Sequence, residues 1–270
     1  MKIYKYPRTR HLEGSRLQVG DTADDKPIAE LSGRTLIVEE KLDGANSAVS
    51  FDTDGTLLLQ SRGHYLTGGG RERHFALFKT WAAAHSTVLH AALGHRFVMY
   101  GEWMYAKHTV FYDRLPHYFM EFDVLDRETG AFLSTEARRS LLAGLPVMPV
   151  PVVYVGEIRS VDHLIGLTRP TPFKSAEWRS ALSLAAHRSG SRPEKVDQQT
   201  EDSDLAEGLY LKQESAHRVE ERFKFVRADF LQAIEAAEGH WQDRPILPSG
   251  LADGVDIFAP TLGVEGAYDA

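Results

Sequence analysis

The chain has 270 residues, enough for one sizeable core or one large domain with a small appendage, and its 43% hydrophobic and 26% charged residues are the balance of an ordinary soluble protein. No apolar run reaches the roughly 18 residues of a membrane span, the opening MKIYKYPRTRHLEG lacks a secretory signal's apolar stretch, and the absence of cysteine excludes disulfides, thiolate metal sites and a cysteine nucleophile, which fits the cytoplasm. A net charge of −7 argues against a protein that coats nucleic acid by bulk electrostatics, yet leaves room for an enzyme whose basic residues gather in one groove.

The first 30 residues are polar and irregular. Residues 34–41, RTLIVEEK, predict a strand around the buried run Leu36, Ile37 and Val38, broken by Asp43-Gly44. Two strands at 47–51 and 56–60 flank the turn at 52–55, a hairpin signal. The glycine-rich, basic stretch 67–73 reads as a mobile loop, with Arg71 and Arg73 candidates for a nucleic-acid backbone. Helical spacing of Phe75, Phe78, Trp81, Val88 and Leu89 predicts one helix over 75–93. Strands follow at 96–105 and 117–125, then a short helix at 135–142. Prolines among valines at 144–155 suggest a connection and an edge strand. Short helices are expected at 161–167 and 176–188, and a mobile polar loop at 189–204. Strands at 208–213 and 222–226 precede a helix at 228–238 and a proline- and glycine-bearing tail. Hairpins with segregated helices, and no regular strand–helix alternation, indicate an α+β domain of antiparallel sheets.

The chemistry starts at EEKLDG, residues 39–44. Lys41 ends a buried strand just before an Asp-Gly turn. An amine attacks phosphorus only when neutral, and desolvation with a neighbouring cation would lower its pKa. Gly44 would let backbone approach a ligand. Alone, Lys-x-Asp-Gly fits a surface turn with a solvated lysine at least as well. The scattered histidines show no His-x-x-x-His pair beside carboxylates, so no zinc site is expected.

Downstream come SRG at 61–63, YGEW at 100–103, YFMEFDVLD at 118–126, EGLYLK at 207–212 and RFKFVR at 222–227. In this order they resemble the motif series of the covalent nucleotidyltransferase superfamily, and most closely ATP-dependent RNA ligases of the phage and kinetoplastid-editing type. The opening YPRTRHLEGSRL is also similar to the start of bacterial members of that group.

The resemblance implies a nucleotidyltransferase (ATP-grasp-like) domain over residues 1–230 with a short C-terminal extension, 231–270. It implies Lys41 as the nucleophile that carries AMP. Arg62 would contact the ribose or end phosphate, Glu102 the ribose hydroxyls and Glu40 the adenine amine. Phe122 would stack on the adenine, although its apolar neighbours also suit a core residue. Glu207 would help hold Mg2+ or Mn2+, largely through water. Lys212 and Lys224 would surround the triphosphate of ATP. Arg222 stands where the family often has lysine, and its phosphate is not assigned. Lys107, His108, Tyr112, His64 and Tyr65 are weaker candidates for the substrate groove.

Three steps would follow: self-adenylylation, AMP transfer to a 5′-phosphate, and attack by a 3′-hydroxyl with release of AMP. About 40 residues after 230 are too few for an OB-fold domain. That favours RNA with 3′-OH and 5′-phosphate ends over the substrates of a DNA ligase or a capping-type guanylyltransferase, and suggests a separate end-healing partner. A binding module without catalysis would have no need of Lys41, Glu102, Glu207, Lys212 and Lys224 together.

Overall fold

Two five-stranded, mostly antiparallel sheets carry the fold in the computed structural model, which describes residues 2–17, 25–230 and 245–260. In chain order the elements are β1 (Arg10–His11), β2 (Leu36–Lys41), β3 (Ala45–Phe51), β4 (Leu57–Ser61), α1 (Ala76–Ala84), α2 (Ser86–Leu93), β5 (Phe97–Trp103) and β6 (Phe119–Asp126). There follow α3 (Thr135–Leu142), β7 (Met148–Pro149), β8 (Val152–Gly156), α4 (Val161–Leu167), α5 (Trp178–Arg188), α6 (Pro193–Gln198), β9 (Gly208–Glu214) and β10 (Val219–Val226). One sheet runs β1-β10-β9-β2-β8, the other β4-β3-β5-β6-β7. The α+β class expected from the sequence is the class observed.

Side-chain alternation divides the first sheet into two faces. Leu36 and Val38, Leu209 and Leu211, and Phe223 and Phe225 form one face and pack with Leu12, Ile28, Leu31 and the α4 residues Leu164 and Leu167. The opposite face carries Glu39, Lys41, Tyr210, Lys212 and Lys224. In the second sheet, Val49, Phe51, Met99 and Val124 pack on Phe78 and Trp81 of α1 and Leu89 and Leu93 of α2. Its other face bears Asn46, Ala48, Tyr100, Glu102 and Phe122. The chain crosses between sheets at Val150-Pro151: Val150 N–H donates to Glu121 O at 2.8 Å, and Glu40 N–H donates to Pro151 O at 3.0 Å. The polar faces thus meet across a cleft.

Three local readings change. The helix expected over 75–93 is two helices broken at His85, whose buried ring lies 3.2 Å from Ile257 O. The stretch 144–155 supplies two strands, β7 and β8, one to each sheet. Segment 189–204 is not wholly loop: Pro193 opens α6 and Val196 buries against Trp178 and Leu182. The helix expected at 228–238 lies mostly outside the described residues. Residues 245–260 pack back on the domain through Leu247, Leu251 and Ile257.

Gly208 stands opposite Lys41 in the β2–β9 register, and a Cβ there would lie 2.0 Å from Phe225 O. Backbone cannot retreat as a side chain can, so Gly208→Ala is expected to lower stability by roughly 3 kcal/mol or more. An unchanged urea midpoint would refute this. Burial holds His117 neutral, with its pKa pushed down to about 4. Unfolded, histidine titrates near about 6.5, so the stability this ring contributes is full above that pH and is lost as pH falls toward the folded value. The gap in unfolding free energy between wild type and His117→Asn should therefore shrink by roughly 2 kcal/mol from pH 7 to pH 5. A constant gap in urea titrations would count against it.

Candidate active site

A cavity of about 780 Å³ opens between the two polar faces, within the size range of small-molecule sites. Lys41, Glu40, Glu102, Phe122, Arg62, Glu207 and Lys224 all line it. Seven of the eight residues singled out from the sequence therefore meet in one place.

The end of β2 places the Lys41 amine 2.7 Å from Glu207 Oε2. Gly44 N–H donates to Glu102 Oε1 at 3.2 Å, and a Cβ on Gly44 would meet Trp103 O and Met104 Sδ at 2.8 Å. The glycine of the motif thus serves a close approach to β5. Asp43 faces the other way: its Oδ2 accepts the N–H groups of Thr109 and Val110, both at 2.7 Å, and its own N–H donates to Tyr112 Oη at 3.0 Å. The two residues after Leu42 thereby hold the end of β2 against β5 on one side and the 108–112 loop on the other.

This cluster is acidic. Burial lowers the Lys41 pKa, but Glu207, Glu102 and Asp43 outweigh it and hold the ammonium above its usual range. Carboxylates rather than a cation supply the charge that the protein itself places around the amine. Burial pushes Glu102 up to about 8, reinforced by Glu207 and Asp43, and pushes Glu207 up to about 7. Burial likewise raises Glu40 to about 7, and its buried Oε1 has no hydrogen-bond partner among the described residues.

Phe122 owes its position to a β-bulge. Tyr100 pairs with Asp123 and Gly101 with Glu121, so Phe122 is the extra residue between them. Bulges re-aim side chains beside functional sites. The half-buried ring meets the edge of Tyr6 at 5.2 Å and 81°. Arg62 and His64 reach the cavity from the turn after β4, closed by Ser61 N–H to His64 O at 3.0 Å.

Lys212 is the exception. It is fully buried behind the cavity, 2.8 Å from Glu39 Oε2 and 3.2 Å from Asp123 Oδ1, and it donates to Phe122 O. The expected contact with a triphosphate gives way to a supporting position, because alternation along β9 directs the side chain into a polar layer between the sheets. The same layer holds Arg138 of α3, which bonds Glu39 and lies 2.6 Å from Glu121 Oε2. Burial opposes ionisation of Asp123, but Lys212, Arg222 and Arg138 outweigh it and hold that carboxyl below its usual range. Arg222 lies 3.9 Å over the Phe132 ring and 3.7 Å from Asp123 rather than on the cavity wall.

Of the weaker candidates, His108 and His64 line the cavity. Lys107 instead donates to Gln199 O at 2.8 Å, Tyr112 is buried under Asp43, and Tyr65 donates to Lys2 O at 2.9 Å. The sequence reading missed Tyr6, Thr9 and Tyr210. Tyr6 donates to Asp123 Oδ2 at 2.5 Å, its hydroxyl lies 2.9 Å from that of Tyr210, and Tyr210 bonds Thr9. The signal was present in YPRTRH, which resembled the family's opening without pointing to a role.

A strand-end lysine set among carboxylates, an aromatic wall and basic residues thus meet in one cavity between two mostly antiparallel sheets. Residues 34–226 match the RNA ligase family, and the chain belongs to it. Its fold resembles a lysine-to-alanine mutant of Naegleria gruberi RNA ligase with ATP and Mn, at 16% identity and TM-score 0.51 over 85% of this chain and 62% of that one. It also resembles an aspartate-to-alanine mutant of that ligase in the apo state, at 17% identity and TM-score 0.51 over 87% and 64%. The chain thus spans less than two thirds of the length of those ligases. No curated protein matches the sequence at significance.

Removing one member of a buried ion cluster leaves its partners uncompensated, at a cost of about 3–5 kcal/mol. Lys212→Met is therefore expected to lower the thermal midpoint sharply, and Lys224→Met to leave it nearly unchanged. Full stability in Lys212→Met with a selective loss of ATP use would restore the triphosphate contact.

Proposed function

We propose that this chain is an ATP-dependent RNA ligase that joins 3′-OH and 5′-phosphate ends through lysyl-AMP at Lys41. The observation that carries the reading is the Lys41 amine on a cavity wall shared with Glu102, Phe122, Arg62 and Lys224. Each of these suits one part of ATP. The exposed part of the Phe122 ring offers a stacking face for adenine. The unpartnered Oε1 of Glu40 suits the exocyclic amine, and Glu102 the ribose hydroxyls. Lys224 and Arg62 supply positive charge for the phosphates.

In the first step the Lys41 nitrogen bonds to the α-phosphorus and the bond to pyrophosphate breaks. The amine must first lose a proton, and Glu207 is the carboxylate in contact with it. In the second step a 5′-phosphate oxygen displaces Lys41 from that phosphorus, giving a 5′–5′ pyrophosphate. In the third, a 3′-hydroxyl attacks the 5′-phosphorus and AMP leaves. Splitting one displacement into three makes each easier.

Burial and repulsion from neighbouring carboxylates hold Glu102 and Glu207 up, to about 8 and about 7, and a divalent ion would favour their ionised forms. Among the described residues, no three His, Asp or Glu side chains converge as a cage. Mg2+ or Mn2+ would then be held by Glu207, through water, and by the phosphates it neutralises. The Naegleria ligase structure with ATP and Mn is in keeping with that choice. No helix among the described residues is long and apolar enough to cross a membrane. We place the enzyme in the cytoplasm, where ATP is supplied, with residues 1–230 as the adenylyltransferase unit and 231–270 as its extension. RNA would be its substrate, with a separate end-healing enzyme as partner where ends lack the required groups.

Wild type incubated with α-labelled ATP and Mg2+ should carry label through denaturing electrophoresis. Lys41→Ala should carry none, yet should still seal a pre-adenylylated end. Label retained on Lys41→Ala would remove Lys41 as nucleophile. No label on either protein, with GTP and NAD failing too, would turn the reading to a binding module.

A further inference from the structure

We propose that the N-terminal segment, residues 2–10, is a track for the phosphodiester backbone of the nucleic-acid strand whose end enters the cavity. This rests on the ligase reading above and adds where the strand lies.

The first 17 residues hold five lysines and arginines against one glutamate, in a chain whose net charge is −7. The structure places this positive segment at the cavity. Its two ends are fixed to different sheets. At one end Tyr4 O accepts Gln60 Nε2 at 2.8 Å and Tyr100 Oη at 2.7 Å, both from the second sheet. At the other, Arg10–His11 pairs with β10 of the first sheet. Between these anchors Tyr6, Pro7 and Thr9 line the cavity, so the segment spans its rim.

Tyr4 and Tyr6 turn inward, into a cluster with Ala48, Val98, Tyr100 and Leu125. Lys2, Lys5 and Arg8 are exposed. They recur every third residue, up to roughly 10 Å apart along the backbone, so positive charge is spread along the segment rather than gathered at one point. They suit a charged polymer. The exposed Arg62 and His64 on the cavity wall continue the positive rim toward Lys41. A pinned backbone with outward cations contributes phosphate contacts without reading bases, which positions a strand regardless of sequence. It also accounts for an acidic protein acting on nucleic acid: the attraction needed is local.

The test is equilibrium binding of a 5′-phosphorylated single-stranded RNA oligonucleotide across a salt series, alongside self-adenylylation with labelled ATP. Lys5→Ala/Arg8→Ala is expected to weaken RNA binding roughly tenfold at low salt. It should also flatten the plot of log K against log salt by roughly 1.4, two phosphate contacts' worth. Self-adenylylation should be unchanged. Lys5→Glu/Arg8→Glu should weaken binding further, and the charge-keeping Lys5→Arg/Arg8→Lys should bind as wild type. Unaltered affinity and slope in the alanine and glutamate variants would overturn the track. So would equal loss in the charge-keeping variant, which would mark a packing role, or no binding of RNA by wild type. Failure of wild type to label with ATP overturns the ligase reading instead, and leaves the salt series as a separate result.

Discussion

The site depends on a buried ion layer that joins the two sheets. Lys212 of β9 and Glu39 of β2 belong to one sheet; Asp123, Glu121 and the Phe122 carbonyl belong to β6 of the other. Arg138 closes the layer from α3. Such clusters are weak evidence for net stability, since apolar replacements of similar volume often do as well. Their value here is geometric. An apolar contact between sheets tolerates sliding, whereas Lys212 is satisfied only when Glu39, Asp123 and the bulge carbonyl all surround it. Glu39 lies two residues from Lys41, and the carbonyl belongs to Phe122. The layer therefore sets the distance between Lys41 and the aromatic wall.

Strand alternation then assigns chemistry to one side of β2 and structure to the other. Leu36 and Val38 are fully buried in a core of leucines and phenylalanines, while Glu39 and Lys41 face the cleft. A one-residue register slip would exchange the two sets, so that core protects the site's register. Gly208 contributes where a side chain cannot fit, letting β9 and β10 close beside Lys41.

Much of this was legible in the sequence, for identifiable reasons. Lys41, Glu102 and Glu207 stand in short ordered motifs, and the structure brings all three to one cavity. The α+β class followed from hairpin signals and irregular strand order. The role of Lys212 was not legible. A lysine in EGLYLK carries no mark that separates a cavity contact from a buried counter-ion, and only the register of β9 against β2 decides it. The bulge at Phe122 was also hidden, because it is a mismatch between two strands rather than a property of either. The acidity around Lys41 was not legible either, because its surroundings come from β2, β5 and β9 together. Tyr6 lay in a segment that reads as irregular, where function leaves no periodicity.

The charge distribution has one more consequence. The interior wall gathers Glu40, Asp43, Glu102 and Glu207, while the exposed cations sit on the rim. On the ligase reading, these carboxylates once ionised would repel a polyphosphate unless counter-charge entered with it, as a metal-bound nucleotide would bring. In the proposed mechanism the AMP retained after pyrophosphate leaves would be a single phosphate bonded to Lys41, and the ammonium beside Glu207 would no longer exist in that form. The site would then be more negative than before, and the next phosphate would approach against it. A basic rim that holds the nucleic-acid backbone can offset that repulsion at a distance from the reacting atoms. Acid within and base at the edge are thus complementary on that reading: the first would arrange the lysine and a metal, and the second would deliver the strand to them.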